Sequence, residues 1–174
     1  MITFIIIYGI INYNALVRIR NRVRTNWAQI DVVLKRRADL ILNMVATVKG
    51  YASHEKETLE SVINARNRYL SSGSTEQQIA NAGQLTSALD RLMVLTERYP
   101  DLKANTSFND LQTTLRETED KIQHARQAYN DSVYEYSNKI ELFPSNIVAS
   151  LGKFKPMPLF EVHEQDKEIP EMNF

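Results

Sequence analysis

The chain has 174 residues, of which 43% are hydrophobic and 24% are charged, values that suit one globular domain and exclude a wholly disordered chain. Lys and Arg number 21, as do Asp and Glu, so attraction to nucleic acid is not predicted. The absence of cysteine excludes disulfides, thiol catalysis and cysteine-based zinc sites. Five Gly and five Pro leave few turns for a sheet protein, and helices are expected.

The charge is balanced over the chain but not along it. Residues 1–50 carry a net charge of +6 and residues 51–174 a net charge of −6, and no charged side chain precedes Arg18. As a helix, the segment before Arg18 is roughly 26 Å long, against about 30 Å for the hydrocarbon core of a bilayer. We predict a membrane anchor here; the alternative is an apolar helix end packed on protein. The predicted anchor residues are Ile2, Phe4, Ile5, Ile6, Ile7, Tyr8, Ile10, Ile11 and Tyr13.

Four arginines follow the apolar segment at two-residue spacing, which distributes their guanidinium groups around a helix. Each gains on the order of 1 kcal/mol from anionic lipid headgroups. By the positive-inside rule, they place the rest of the chain on the cytoplasmic side of the membrane. We predict headgroup contacts for these residues, with a solvated helix surface as the alternative. They are Arg18, Arg20, Arg22 and Arg24.

The first two predicted helices lie in the basic part of the chain and just after it. From Leu16 onward apolar residues recur at steps of three and four, which predicts a long amphipathic helix that ends near Gly50. Ser53 is the predicted N-cap of a second, shorter helix over about residues 54–70.

Two further helices are predicted in the acidic part of the chain. Ser74 and Gln77 have the spacing of a capping box and open a third helix, which ends before Pro100. Ser107 is the predicted cap of a fourth helix, which Pro144 ends.

These four helices, joined by short connections, predict an all-α fold: an antiparallel four-helix bundle whose long first helix extends into the N-terminal apolar anchor. Matching the fourth helix, roughly 54 Å long, against residues 17–52 leaves everything before residue 17 projecting. We therefore predict an anchor over residues 1–17, a bundle over residues 18–152 and an extended acidic tail over residues 153–174. The tail residues expected to pack on the bundle are Phe154, Met157, Leu159, Phe160 and Val162.

Motifs that would indicate an enzyme are incomplete. His54 and Glu55 begin like a zinc protease motif, but Thr58 stands where the second His is required. No Gly-rich phosphate loop or nucleophile motif occurs, and the three histidines lie far apart. We predict no catalytic residue, no cofactor and no metal site, which leaves an enzyme as the weakest alternative.

The densest charged cluster within an apolar stripe is formed by Lys35, Arg36, Arg37 and Asp39. Polar groups near a bundle seam need partners, so we expect this cluster to reach a carboxylate on another helix. The alternative is that it receives an acidic partner molecule. Aromatic residues at helical spacing are assigned to the core and its rim rather than to a ligand cage; these are Trp27, Tyr129, Tyr134 and Tyr136.

Many short strings in chain order resemble landmarks of the LemA family. They cover residues 13 to about 154, and one departure is Leu42, where the family usually has Pro before Asn43; this favours a straighter helix. The landmarks include Tyr13-Asn14-Ala15-Leu16-Val17, Trp27-Ala28-Gln29-Ile30-Asp31-Val32, Leu34-Lys35-Arg36-Arg37-Ala38-Asp39, Val48-Lys49-Gly50-Tyr51-Ala52, Ala65-Arg66, Tyr99-Pro100-Asp101-Leu102-Lys103-Ala104-Asn105, Tyr129-Asn130 and Phe143-Pro144-Ser145.

The resemblance implies a bacterial, membrane-anchored protein with a four-helix bundle and no established catalytic activity. Relatives occur in membrane settings that include magnetosome formation and proximity to a membrane zinc protease, which implies a scaffold or adaptor. We therefore expect a single-pass inner-membrane protein whose bundle lies on the cytoplasmic side. Its expected partners are membrane lipids and a membrane protease or another membrane protein, and no nucleic acid. The alternative is a soluble or peripheral regulatory module that docks on a protein through its apolar N-terminus.

Overall fold

The computed structural model describes residues 2–161, apart from the side chains of Ile2 and Ile5. These residues form helices only, so the predicted all-α class is confirmed. Most of the predicted acidic tail, with Val162, lies outside the described residues. The six helices are α1 (Ile2–Tyr51), α2 (Lys56–Leu70), α3 (Thr75–Thr96), α4 (Pro100–Lys103), α5 (Thr106–Glu141) and α6 (Ser145–Leu151).

The predicted capping box at the start of α3 is confirmed. The Ser74 hydroxyl accepts a hydrogen bond from the Gln77 backbone N–H at 3.3 Å. In return, Gln77 Oε1 accepts from the backbone N–H of Gly73 at 2.9 Å. Both bonds satisfy backbone donors that have no partner inside the helix, which fixes where α3 begins.

The predicted starts of two other helices were wrong. The Glu55 N–H donates to the Ala52 carbonyl at 3.1 Å, so the chain turns here and α2 begins at Lys56, without Ser53 as its cap. Asn105 Oδ1 accepts from the Phe108 N–H at 3.0 Å, so this side chain occupies the capping position that we assigned to Ser107. The short helices α4 and α6 were not predicted as separate helices.

The described residues divide into two compact units. Unit 1 contains α1 up to Leu34, α5 from Glu119, α6 and the chain as far as Leu159. Unit 2 contains the rest of α1, then α2, α3, α4, α5 as far as Thr118, and Phe160.

In unit 1, α1 and α5 run antiparallel. Asn26 Nδ2 donates to the Ala128 carbonyl at 3.0 Å, and two turns further along α5 Arg22 pairs with Glu135 at 2.6 Å. The Trp27 ring lies 5.3 Å from the ring of Tyr129, between centroids. Burial of the facing apolar stripes supplies the main stabilisation of the pair. The buried core of unit 1 includes Leu16, Ile19, Val23, Ile30, Leu34, Ile122, Tyr129, Val133 and Tyr136.

After α6, the chain folds back on unit 1 in an extended form. Tyr136 Oη donates to the Lys155 carbonyl at 2.8 Å, and Tyr129 Oη donates to the Pro158 carbonyl at 2.7 Å. The Phe154 ring packs edge-on against Tyr13, with 5.6 Å between centroids. The tail therefore packs on unit 1 largely through its backbone, which the tyrosine hydroxyls of α5 hold, and the prediction that Leu159 packs was wrong, since its side chain is exposed.

In unit 2, polar side chains join three helices through backbone carbonyls. Arg66 Nε on α2 donates to the Ala38 carbonyl of α1 at 2.7 Å. Asn81 Nδ2 on α3 donates to the Arg68 carbonyl of α2 at 3.2 Å. The buried core of this unit includes Ala38, Ile41, Met44, Val45, Val48, Leu59, Val62, Ala65, Tyr69, Ala82, Leu85, Leu89, Leu92, Leu102, Phe108 and Leu115.

Candidate functional site

The apolar tip, residues 2–13 of α1, leaves its described large side chains exposed. The exposed fraction is 77% for Phe4 and 56% for both Ile6 and Ile10. Ile7, Tyr8, Ile11 and Tyr13 are also exposed, and together these positions cover roughly 220° of the helix circumference, whereas Gly9 and Asn12 on the remaining arc are half-buried. An exposed apolar face this wide is typical of a segment that packs on protein or lipid.

The four arginines after the tip differ in how far unit 1 already engages them. Arg18 and Arg24 are exposed. Arg22 forms the ion pair with Glu135, and the half-buried Arg20 places its guanidinium carbon 5.0 Å from the centroid of the Phe154 ring. Arg18 and Arg24 are therefore exposed for the predicted headgroup contacts, whereas Arg20 and Arg22 also stabilise unit 1.

The charged cluster on α1 contains one buried member. Arg37 is 2% exposed and donates to the Thr86 hydroxyl at 3.0 Å and to the Ala82 carbonyl at 3.2 Å, both on α3. The predicted contact between helices is thus present, and these two acceptors are neutral groups rather than carboxylates. Lys35 and Arg36 are exposed. Asp39 lies 3.5 Å from Arg66 Nη2 and is itself mostly exposed.

A cleft of about 450 Å³ lies between α2 and α3 in unit 2. Its lining combines small side chains with polar ones, which include the exposed Arg68 and Arg91. Small side chains let a partner approach the helix backbones closely, and guanidinium groups favour carboxylates. The other lining residues are Ser61, Asn64, Ala65, Gln84, Ser87 and Ala88.

The pKa values of two tyrosines, Tyr136 and Tyr99, are raised by their surroundings in the fold. Burial raises the pKa of Tyr136, an effect that the charges of Arg20 and Arg24 partly oppose. Burial and the neighbouring carboxylate of Glu55 raise the pKa of Tyr99, whose hydroxyl donates to Glu55 Oε1 at 3.2 Å. Both shifts favour the neutral hydroxyl as a hydrogen-bond donor.

The described part of the chain offers neither a metal site nor a membrane span. No three His, Asp or Glu residues in it come together in a group that would hold a metal ion. His54 and His124 are both exposed, and His163 lies outside the described residues. Within the described residues, no helix is both long enough and apolar enough to cross a bilayer.

A second exposed apolar surface was missed in the sequence analysis. We call residues 142–151, where the chain turns from α5 into α6, the α5–α6 corner. Phe143 is 79% exposed and Leu151 is 81% exposed, and Leu142 and Ile147 are exposed as well. The four-residue spacing of Ile147 and Leu151 was a visible signal, but a seven-residue helix is too short for periodicity to establish.

Comparison with known proteins gives consistent matches. A model of the LemA family matches residues 26–174. Protein LemA of Metamycoplasma hominis is 27% identical over 156 residues, which cover 88% of this chain and 71% of that protein. Magnetosome protein MamQ of Magnetospirillum gryphiswaldense is 23% identical over 182 residues, covering 90% of this chain and 66% of that protein.

Magnetosome protein MamQ 2 of Paramagnetospirillum magneticum is likewise 23% identical, over 178 residues that cover 87% of this chain and 65% of that protein. The chain thus spans about two thirds of the length of these curated relatives. Because the family model covers most of the chain, with buried residues of both units from Ile30 onward, the family assignment does not depend on one motif. This chain belongs to the LemA family.

Proposed function

We propose that this protein is a non-enzymatic scaffold or adaptor that is anchored at the bacterial inner membrane by its apolar tip and holds a protein partner there. The observation that carries the proposal is the wide exposed face of large apolar side chains on α1 between Phe4 and Tyr13. The antiparallel four-helix bundle predicted from the sequence remains part of this proposal. Two of the similar proteins are named as magnetosome proteins, which supports a role at a membrane.

The apolar tip has enough surface to act as an anchor. Complete burial of an Ile or Phe side chain contributes about 1.5–3 kcal/mol. The five exposed Ile and Phe side chains of the tip are 49–77% exposed, so they contribute roughly 4–9 kcal/mol when lipid surrounds them. The arginines that follow would then lie at the headgroups on the cytoplasmic side. The single-pass topology predicted from the sequence is one form of this anchor, and insertion of the tip into one leaflet is the other.

The cleft between α2 and α3 is the surface that we assign to the partner. Arg68 and Arg91 favour a partner segment that carries carboxylates, because each guanidinium can form a two-pronged pair with a carboxylate. The partner we expect is a membrane protease or another membrane protein with an acidic segment near the membrane. The cluster of Lys35 and Arg36 offers a second basic surface in the same unit.

Extraction of membranes with alkaline carbonate tests the anchor. We expect the full chain in the membrane pellet, and we expect the variant with Ile6, Ile7, Ile10 and Ile11 all replaced by Ser in the supernatant. Replacement of the exposed Val32 and Val94 by Ser is the matched control, and this variant should stay in the pellet. Full-length protein in the supernatant would refute the anchor.

The adaptor role has its own test. Photocrosslinkers at positions 64 and 84, in the cleft, should capture a partner that a crosslinker at the exposed Gln123 does not capture. Charge reversal of Arg68 and Arg91 to Glu should abolish that capture without changing membrane retention. If instead replacing the isoleucines of the tip abolishes capture of a soluble protein, the chain is the regulatory module that docks through its N-terminus.

A further inference from the structure

We propose that the α5–α6 corner is a second lipid-contacting surface, which lies at the boundary between headgroups and acyl chains when the apolar tip is embedded in the bilayer. The inference rests on the proposed function, because it requires the tip to enter lipid. It assigns a membrane role to residues 142–151, which the sequence analysis did not connect with the membrane.

The side chains of α6 are arranged with the small residues inward and the large apolar residues outward. Ser145 and Ala149 are buried, whereas Ile147 and Leu151 are exposed, and both pairs have the four-residue spacing of one helix face. Phe143, just before α6, is the most exposed large aromatic side chain among those of the described residues. An outward apolar face on a short helix is typical of an element that lies in a membrane interface.

The corner adjoins the apolar tip within unit 1. A cleft of about 300 Å³ lies between them, lined by Tyr8 and Asn12 of α1 and by Leu142, Phe143 and Pro144 of the corner, together with Glu135, Asn138, Lys139 and Ser145. The exposed apolar surfaces of the tip and the corner therefore lie on either side of one partly polar cleft. A bilayer that surrounds the tip would meet the corner without any rearrangement of the fold.

The end of α6 is held in place by packing against α1. Phe154 packs against Tyr13 on one side and under the Arg20 guanidinium on the other. Gly152 makes this close approach possible, because a Cβ at that position would lie 2.5 Å from Phe154 Cε2. The corner is thus presented as a fixed surface, and little conformational entropy is lost when it meets lipid.

The depth of the corner follows from the helix rise. Tyr8 and Asn12 lie at the level of the corner, and Ile2 precedes Tyr8 by six residues, so α1 extends about 9 Å beyond the corner. Interfacial helices bury their apolar face about 5–10 Å into the boundary between headgroups and acyl chains. Consequently, a corner at that boundary leaves the first turns of α1 in the hydrocarbon region of the nearer leaflet, and the inference applies to a tip that is inserted into one leaflet.

The charges around the corner suit an anionic bilayer surface. Lys153 and Lys155 follow α6 and are exposed, and Lys139 precedes the corner. Two acids face the same region: Glu135 is neutralised by its pair with Arg22, and Glu141 is exposed. Three lysines thus outnumber the single carboxylate that lacks an arginine partner, and lysines of this kind reach headgroups while their alkyl chains stay in the interface.

Site-specific labelling tests the inference on the full chain, because the protein has no native cysteine. An environment-sensitive fluorophore is attached to single cysteines introduced at Ile6, Phe143 and Leu151, and at Val94 as a control. The variants are mixed with vesicles of phosphatidylethanolamine and phosphatidylglycerol. We expect a blue shift at the first three positions and none at the control. Brominated lipids should quench the two corner labels most strongly when the bromine is near the headgroup end of the acyl chain.

The outcomes separate the two proposals. If the label at position 6 enters lipid and the labels at 143 and 151 do not, the corner is not a lipid surface and the anchor stands. If no label enters lipid, the anchor itself is wrong.

A label-free variant gives a second measurement. Phe143→Ser combined with Leu151→Ser should weaken vesicle partitioning by roughly tenfold or more, given the apolar surface that is lost. The control, Val32→Ser with Val94→Ser, removes two exposed aliphatic side chains elsewhere and should leave partitioning unchanged. Equal partitioning of the two double variants would overturn the inference.

Discussion

Arg66 should reduce the energetic cost of a proline at position 42 of α1. In a regular helix the N–H of Leu42 bonds the Ala38 carbonyl, and a proline there removes this bond and moves the carbonyl aside. Arg66 Nε already donates to the Ala38 carbonyl at 2.7 Å, so that oxygen would keep a charge-assisted partner. Leu42 is 41% exposed, so little packing is lost with its side chain. This is the position where the LemA family usually has Pro.

We expect Leu42→Pro to lower the free energy of unfolding by about 1–2 kcal/mol. Proline inside a helix ordinarily costs about 3 kcal/mol or more, and a buried carbonyl left without a donor accounts for about 1–3 kcal/mol of such a loss. The matched control is Ala46→Pro, one turn later at an exposed site, where no side chain of the described residues donates to the carbonyl four positions before. This variant should lose the full value for a proline inside a helix, about 3 kcal/mol or more of the free energy of unfolding.

A double-mutant cycle measures the role of Arg66 directly. In urea unfolding followed by circular dichroism, Arg66→Met should be more damaging in the Leu42→Pro background than in the parent, by about 1 kcal/mol. The pair of Arg66 with Asp39 contributes little to this difference, because Asp39 is mostly exposed. Additive effects within about 0.5 kcal/mol, or equal costs for the two prolines, would refute the reasoning.

Three further predictions concern buried contacts. Tyr136→Phe should cost about 1 kcal/mol in urea unfolding, through loss of the bond to the Lys155 carbonyl, whereas Tyr134→Phe, an exposed control, should cost almost nothing. Because burial raises the pKa of Tyr136, the stability that its neutral hydroxyl contributes to the folded chain is complete below about pH 10 and is lost as pH rises through the folded pKa. In the Phe variant, the free energy of unfolding should therefore fall less steeply above about pH 10. Arg37→Ala should cost about 1–3 kcal/mol in urea unfolding, because the Thr86 hydroxyl and the Ala82 carbonyl lose a buried donor, and Arg37→Met, which keeps the packing of an unbranched side chain, should cost less. Gly152→Ala should lower the free energy of unfolding by about 1–3 kcal/mol, because the added methyl group would collide with the Phe154 ring.

The long helices were predictable from the sequence because periodicity over many residues outweighs local exceptions. The end of α1 at Tyr51 lies one residue beyond the predicted stop, and the capping box at Ser74 is confirmed. The caps at Ser53 and Ser107 were wrong because Ser, Asn and Asp are nearly equivalent as caps and the choice depends on where the chain turns. Asn105 was available to the same reasoning and occupies the position.

The contacts that shape the candidate site were harder to predict. The burial of Arg37 at the edge of an apolar stripe was visible, but its acceptors include a backbone carbonyl, which has no signature in the sequence. The same holds for the tail, where two tyrosine hydroxyls bond to carbonyls of Lys155 and Pro158. The outward face of α6 was invisible because seven residues are too few to show which side of a helix a neighbour covers.

The position of the single tryptophan has a practical consequence. Trp27 lies against Tyr129 in unit 1, so selectively excited tryptophan fluorescence monitors that unit alone, whereas the helical circular dichroism signal averages over both. Coincident denaturation midpoints by the two signals would mean that the chain melts as one cooperative block. Separate midpoints would reveal a partly melted species in which one half keeps its helices, and would give each half its own measurable stability.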